Sequence, residues 1–297
     1  MAAPRKHHFI PAFYLAQWAA LNGQLIEWSK PFESVKPIRR HPNATGFQEY
    51  LYTFHALLPE LRQWFEQNFL KDTDDFASQA LKEIIKGRFD ALNIRQKSAW
   101  VRFMMSLDLR HPDVVSEIRE LIEALWTKHD RFTKDAYENS RSPVDPQTFS
   151  DYLDELSPDG QTRAQVDLLV RFMDNPTIGR RIICMPWAVL DVSTSAERLL
   201  TSDWPINLAL GGIPASVTLP ISPTALFMAC DDESIFEAIS RSDQTEIVRT
   251  MNEYVVSHAR RYVFSSDETQ ESLIKSQMSS SMVEPPFLPS VYAGVHR

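Results

Sequence analysis

Glycine is scarce in this 297-residue chain, with 8 copies, and neither a G-x-G-x-x-G nor a G-x-x-x-x-G-K-[ST] run is present. Loops that cradle phosphates need glycine where backbone N–H groups close on the ligand, so the nucleotide-fold classes built on them are weakened. The G-x-S-x-G elbow of hydrolases and the H-E-x-x-H zinc helix are also absent. Cysteine is nearly absent too, with Cys184 and Cys230 each set in an apolar run, Ile182-Ile-Cys-Met and Phe227-Met-Ala-Cys. Two thiols make neither a secreted disulfide framework nor a four-cysteine zinc site, and buried free thiols are expected. No uncharged apolar run approaches the roughly 18 to 20 residues that cross a bilayer, and no signal-peptide core follows the N-terminal Met1. A soluble, cytoplasmic protein without a membrane partner is expected. Positive charge is in deficit, at a net −8, which argues against a surface covered with phosphate contacts. The first forty residues run the other way: Arg5, Lys6, Lys30, Lys36, Arg39 and Arg40 stand against Glu27 and Glu33, and a folded surface could gather them into a basic patch.

What is abundant is ordinary globular material, 43% hydrophobic and 24% charged residues. Residues 1–56 read as a polar His-His segment, a short helix started by Pro11, and strands at Leu25-Ile-Glu-Trp and Glu49-Tyr-Leu-Tyr-Thr-Phe that are expected to pair. From 57 to 178 the apolar spacing turns to three and four (Leu61, Trp64, Phe65, Phe69; Phe76, Ala80, Leu81, Ile84; Ala99, Phe103, Leu107), which predicts about five helices with Trp64, Phe65, Trp100, Phe103 and Trp126 in the core. One helix should end at Arg110-His111, with Pro112 opening the next. Residues 179–266 are strand-rich, at 182–192, 198–202, 225–230 and 262–266, with helices near Ser234 and over 245–260. Residues 267–297 read as a loose tail. Strands at both ends of a helical middle predict an α+β fold with a mixed sheet, in a single globular unit.

Two short elements carry candidate chemistry. In Lys6-His7-His8-Phe9-Ile10-Pro11, adjacent histidines point apart and make a poor metal clamp, so one functional and one supporting imidazole is expected, the functional one titrating near neutrality as general acid or base. In Leu200-Thr201-Ser202-Asp203-Trp204-Pro205, an apolar strand ends in two hydroxyls and a carboxylate, and an aspartate there suits the orienting of a histidine. The bland alternatives are packing histidines and an Asx turn closing the strand. Arg110, Asn252 and Arg260 are further candidates, because a guanidinium suits phosphate or carboxylate and an amide holds a carbonyl or water. Asp113, Glu117 and Arg119 fall on one helix and read as a solvated first turn.

The ordered set Lys6-His7-His8-Phe9-Ile10-Pro11, Tyr14-Leu15, Arg110-x-Pro112, Thr201-Ser202-Asp203-x-Pro205, Pro220-x-Ser222-Pro223, Asn252 and Ala259-Arg260-Arg261-Tyr262-Val263 resembles domain-of-unknown-function family 4238, which occurs in bacteria. The resemblance covers nearly the whole chain and implies no reaction. It implies that the His-His and Ser-Asp-x-Pro elements belong together. The chain departs from the family at Ala12, where a glutamine commonly follows the His-His-x-x-Pro element.

Two functions fit these residues. In the first, an uncharacterised hydrolase acts on a phosphodiester or nucleotide, with His7, His8 and Asp203 catalytic, Lys6, Arg110, Ser202, Asn252 and Arg260 binding substrate, and a divalent metal ion admitted as cofactor. The second is a non-catalytic binding or regulatory module for a small anionic ligand or a partner protein. The first requires His7 or His8 to stand within one hydrogen-bonded step of Asp203, and expects their removal to abolish activity with little loss of stability.

Overall fold

The computed structural model describes residues 5–31, 34–55, 57–58, 61–128, 131–155 and 159–278. The chain opens with β1 (Lys6–His8), whose Phe9 and Ile10 backbone N–H groups both donate to the Gly46 carbonyl at 2.9 and 3.1 Å. Gly46 has φ +63°, and a Cβ there would meet Ile10 and Leu15 at 3.2 Å, so glycine is what lets the two segments close on each other. β1 pairs with β4 (Phe47–Glu49), and α1 (Ala12–Leu15) follows directly behind Pro11.

A second sheet runs β3 (Lys36–Arg40), β2 (Leu25–Ser29), β10 (Tyr262–Ser265), β6 (Thr201–Ser202), and a third runs β5 (Trp187–Asp191), β9 (Ala225–Cys230), β8 (Ser216–Ser222), β7 (Asn207–Ala209). The fold is α+β, and strands from both ends of the chain share the second sheet. Pairings among the described residues are antiparallel, in place of the expected mixture. The strand beside β2 is β3, from the proline-punctuated stretch, while the 49–54 segment leaves the ladder at Glu49. β9 is buried on both faces: Ala225, Phe227 and Ala229 face the helical side, and Leu226 and Met228 the other. That alternation is the two-residue period of a strand sandwiched between layers.

Among the described residues the helical layer comprises α2 (Lys71–Ile84), α3 (Ile94–Leu109), α4 (Pro112–Lys128), α5 (Arg131–Ser140), α6 (Phe149–Glu155), α7 (Gly160–Met173) and α8 (Pro176–Cys184). α3 is its axis. Asn93 and Gln96 form a reciprocal capping box at its start. It packs on α2, α4, α7 and α8, and Trp100 meets Phe227 of β9 edge to face at 5.6 Å. A π-helical turn, Phe65–Leu70, leads into α2. On the far side of the sheets lie α9 (Ser234–Ser240), α10 (Gln244–His258) and α11 (Glu271–Met278).

Three expectations are corrected here. The Ile182-Ile-Cys-Met run ends helix α8 instead of forming a strand, and this leaves Cys184 exposed while Cys230 is buried. Residues 271–278, read as loose tail, form α11, whose Ile274 is buried beside α10; residues 279–297 lie outside the described residues. Trp64 is 41% exposed, whereas Phe65, Trp100 and Phe103 are in the core; the Trp126 side chain lies outside the described residues. Trp64 precedes the π turn, whose wider repeat swings it off the apolar stripe predicted from a 3.6 period. Trp100→Ala is therefore expected to lower stability by about 3–5 kcal/mol and Trp64→Ala by under about 0.5 kcal/mol, measured by urea unfolding.

Candidate functional site

Asp203 follows β6 and is buried, and its carboxylate is filled by backbone. Oδ1 accepts the Arg260 N–H at 2.9 Å, and Oδ2 accepts those of Arg261 at 2.7 Å and Tyr262 at 3.2 Å. The Asp203 N–H in turn donates to the Tyr262 carbonyl at 3.0 Å. This closes the entry of β10 onto β6. The strand before it is held by Asn252 of α10, whose amide accepts from Leu200 N–H at 2.8 Å and donates to the Arg198 carbonyl at 2.9 Å.

The histidine on Asp203 is His111, with Nε2 3.3 Å from Oδ2 and the ring fully buried. It sits in the two-residue corner between α3 and α4, where Pro112 forbids a continuous helix. Its Nδ1 accepts the Asp113 N–H at 3.2 Å, which puts the ring proton on Nε2, toward Asp203. Phe9 packs edge-on against the ring at 5.5 Å and Trp204 at 6.1 Å.

Arg260 has its backbone on Asp203 and its side chain turned over Trp204, with the guanidinium carbon 3.7 Å from a ring centroid. The side chain is 9% exposed, yet neither terminal nitrogen has a hydrogen-bond partner among the described residues. Its ion-pair partner Asp113 is 3.8 Å away, beyond hydrogen-bonding length, and Asp113 also pairs with Arg261. Asp108, on the last turn of α3, is buried with one carboxylate oxygen unpartnered, and burial pushes its pKa well above the usual carboxylate range against the pull of Arg260. Burial raises Glu117 as well, again opposed by Arg260. Asp113 and Glu117 are thus turned toward Arg260 rather than forming a merely solvated first turn.

The chain-start histidines lie elsewhere. His7 accepts the Tyr52 N–H at 2.9 Å through Nδ1 and stacks on the Tyr52 ring. Tyr52 donates its hydroxyl to the Arg110 carbonyl at 2.7 Å. Arg110, fully buried, grips Asp74 with both terminal nitrogens at 2.7 and 2.9 Å. Beside this pair, Glu66 of the π turn has a buried, unpartnered oxygen, and burial pushes its pKa to about 7. His8 tilts against Phe47, and burial pulls its pKa down. Lys6 lies over the Phe47 ring, and the Ser202 hydroxyl accepts the Trp204 N–H.

The predicted residues therefore fall into two polar groups, His7 with Arg110 and Asp203 with Arg260, joined by the dipeptide Arg110-His111. Lys6, His8, Ser202 and Asn252 line neither unpaired group. His111, Asp108, Trp204, Tyr52, Asp74 and Glu66 went unread. His111 and Trp204 occupy the unassigned positions of Arg110-x-Pro112 and Asp203-x-Pro205, a proximity to proline that could have drawn attention to both.

The match of a family described as a protein of unknown function (DUF4238) spans residues 6–269. The chain belongs to that family. No curated protein and no solved structure matches it. Within this DUF4238 chain, no group of three or more His, Cys, Asp or Glu side chains is arranged to hold a metal ion among the described residues, and no described helix is long and apolar enough to cross a membrane. Arg5, Arg39 and Arg40 of the basic N-terminal stretch are ion-paired with Glu49, Glu268 and Glu27.

Two outcomes follow from this geometry. Asp203→Ala leaves three part-buried N–H donors and the buried His111 without their acceptor, so a loss of about 1–3 kcal/mol in stability is expected by chemical unfolding, contrary to the small effect foreseen for a cleft residue. For Glu66, the folded carboxyl binds its proton up to about pH 7, whereas the unfolded one releases it near 4.5. Stability is then lost as pH rises between those values. Glu66→Gln removes the ionising group, and its melting temperature should match the wild type's at pH 4 and exceed it by about 2 °C or more at pH 8.

Proposed function

We propose that the protein is a non-catalytic binding module for a small anionic ligand, anchored by Arg260. The observation that carries this reading is a guanidinium, nine-tenths buried and stacked on Trp204, with both terminal nitrogens lacking a hydrogen-bond partner among the described residues. Buried charged donors left unpaired cost about 1–3 kcal/mol or more, and a carboxylate or phosphate offers two oxygens that match the fork. The Trp204 face fixes the plane of that fork before any ligand arrives. Asp108, whose burial favours the protonated form, supplies a further donor instead of a repelling charge.

The hydrolase reading keeps one supporting observation, a histidine on Asp203 with an arginine beside it. Against it, His111 is fully buried, and each of its ring nitrogens is already engaged, one by Asp203 and one by the Asp113 N–H. A general base must turn a nitrogen to the substrate. The ion pairing of Arg5, Arg39 and Arg40 likewise weakens the nucleic-acid partner.

Isothermal titration with orthophosphate and acetate should show binding that Arg260→Gln weakens by about tenfold or more, with the variant's melting temperature within a few degrees of the wild type's. Incubation with RNA, single-stranded DNA and nucleotides, with and without Mg²⁺ or Mn²⁺, should yield no turnover. Turnover that His111→Ala abolishes would establish the hydrolase in its place.

A further inference from the structure

Helix α10 and strand β9 border a cleft of about 440 Å³. Its walls are aliphatic and thioether side chains, Leu226, Met228, Ile247 and Met251, a lining that adapts to a flexible alkyl chain better than to a flat ring. One end lies at Glu246 and the other at Tyr254, two helical turns apart, or about 12 Å along the axis.

The Tyr254 end is tied to the segment whose Trp204 carries Arg260. Tyr254 donates its hydroxyl to the Ile206 carbonyl at 3.1 Å, and burial pushes its pKa up. Ile206 lies two residues beyond Trp204, which carries Arg260, and the next residue, Asn207, lines the cleft. A single stretch, 204–207, thus forms both the stacking floor of the anchor and one edge of the cleft. Glu246, at the opposite end, places negative charge where a second anionic group would sit.

We infer that the ligand is a medium-chain alkyl monocarboxylate, its head on Arg260 and its tail along the α10 cleft. This rests on the reading of Arg260 as an anion anchor and adds the chemistry of the rest of the ligand. The head meets two guanidinium donors, the tail meets Leu226, Met228, Ile247 and Met251, and Glu246 rejects dicarboxylates of matching length.

Titration calorimetry with acetate, octanoate and octanol separates the two claims. Octanoate is expected to bind at least about thirtyfold more tightly than acetate, since each buried methylene contributes up to about fourfold. Thr250→Trp, at an exposed position on the cleft rim, should remove that gain while leaving acetate binding intact; Arg260→Gln should weaken acetate and octanoate alike. Thermal melts confirm that each variant is folded, and Ile247→Asp replaces Thr250→Trp if the latter is not. Octanoate binding no tighter than acetate, with both lost in Arg260→Gln, overturns the cleft inference and leaves the anchor standing. Octanol binding as well as octanoate, indifferent to Arg260→Gln, overturns both, as does the absence of binding by all three.

Discussion

The carboxylate of Asp203 is the point on which three parts of the chain meet. Three successive backbone N–H groups at the start of β10 converge on its two oxygens, and the corner between α3 and α4 reaches it through His111. A buried anion surrounded by oriented N–H dipoles is stable only where those dipoles are held in place, so the carboxylate and the backbone turn constrain each other. The turn also decides where Arg260 points. With its N–H committed to Asp203, its side chain leaves toward Trp204, one residue past the aspartate. The residue that reads from sequence as a catalytic carboxylate thus acts as the mount for a cation.

The α3–α4 corner divides the polar interior in two. Arg110 turns to Asp74 and Glu66 on the side of the π turn, and His111 turns to Asp203 on the side of the second sheet. Consecutive residues at a break between helices diverge, and here they serve separate clusters. Tyr52 ties the first cluster to the chain start, bridging His7 to the Arg110 carbonyl. The His-His and Ser-Asp-x-Pro elements are therefore related through a relay of Tyr52, Arg110 and His111, and Phe9 adds a direct ring contact with His111. Within each cluster the charges are unequally met: the Arg110 fork is closed by Asp74, and the Arg260 fork is open. This contrast, more than any single residue type, is what the proposed binding reading of Arg260 rests on.

The strand β9 explains why an apolar cleft runs along α10. Buried on both faces, it gives Phe227 to the helical core, where Trp100 packs, and Leu226 and Met228 to the α10 side. α10 lies against that second face and clamps residues 198–200 through Asn252 before its C-terminal end delivers the chain to Arg260. The same helix thus sets the strand that leads to Asp203, walls the cleft and leads into Arg260.

Local order was legible from the sequence wherever one face of an element decides its identity. The helical period over 71–109, the proline starts at Pro11 and Pro112, the two-residue period of Tyr262–Ser265 and the α+β class all follow from side-chain spacing, which neighbouring residues determine among themselves. Asp203 and Arg260 stood out as candidates too, from a carboxylate at a strand end and a guanidinium suited to phosphate or carboxylate. What spacing does not encode is partnership across 57 to 92 residues, the separations of Asp203 from Arg260 and His111. Nothing local marked His111 over His7, because both histidines stand near a proline and only the packing of the α3–α4 corner against β6 brings one of them to the carboxylate. Likewise, the swing of Trp64 out of the core depends on a single π turn, and the open state of the Arg260 fork depends on which carboxylates stop short of it. Those are distances in the folded chain, and tertiary packing alone sets them.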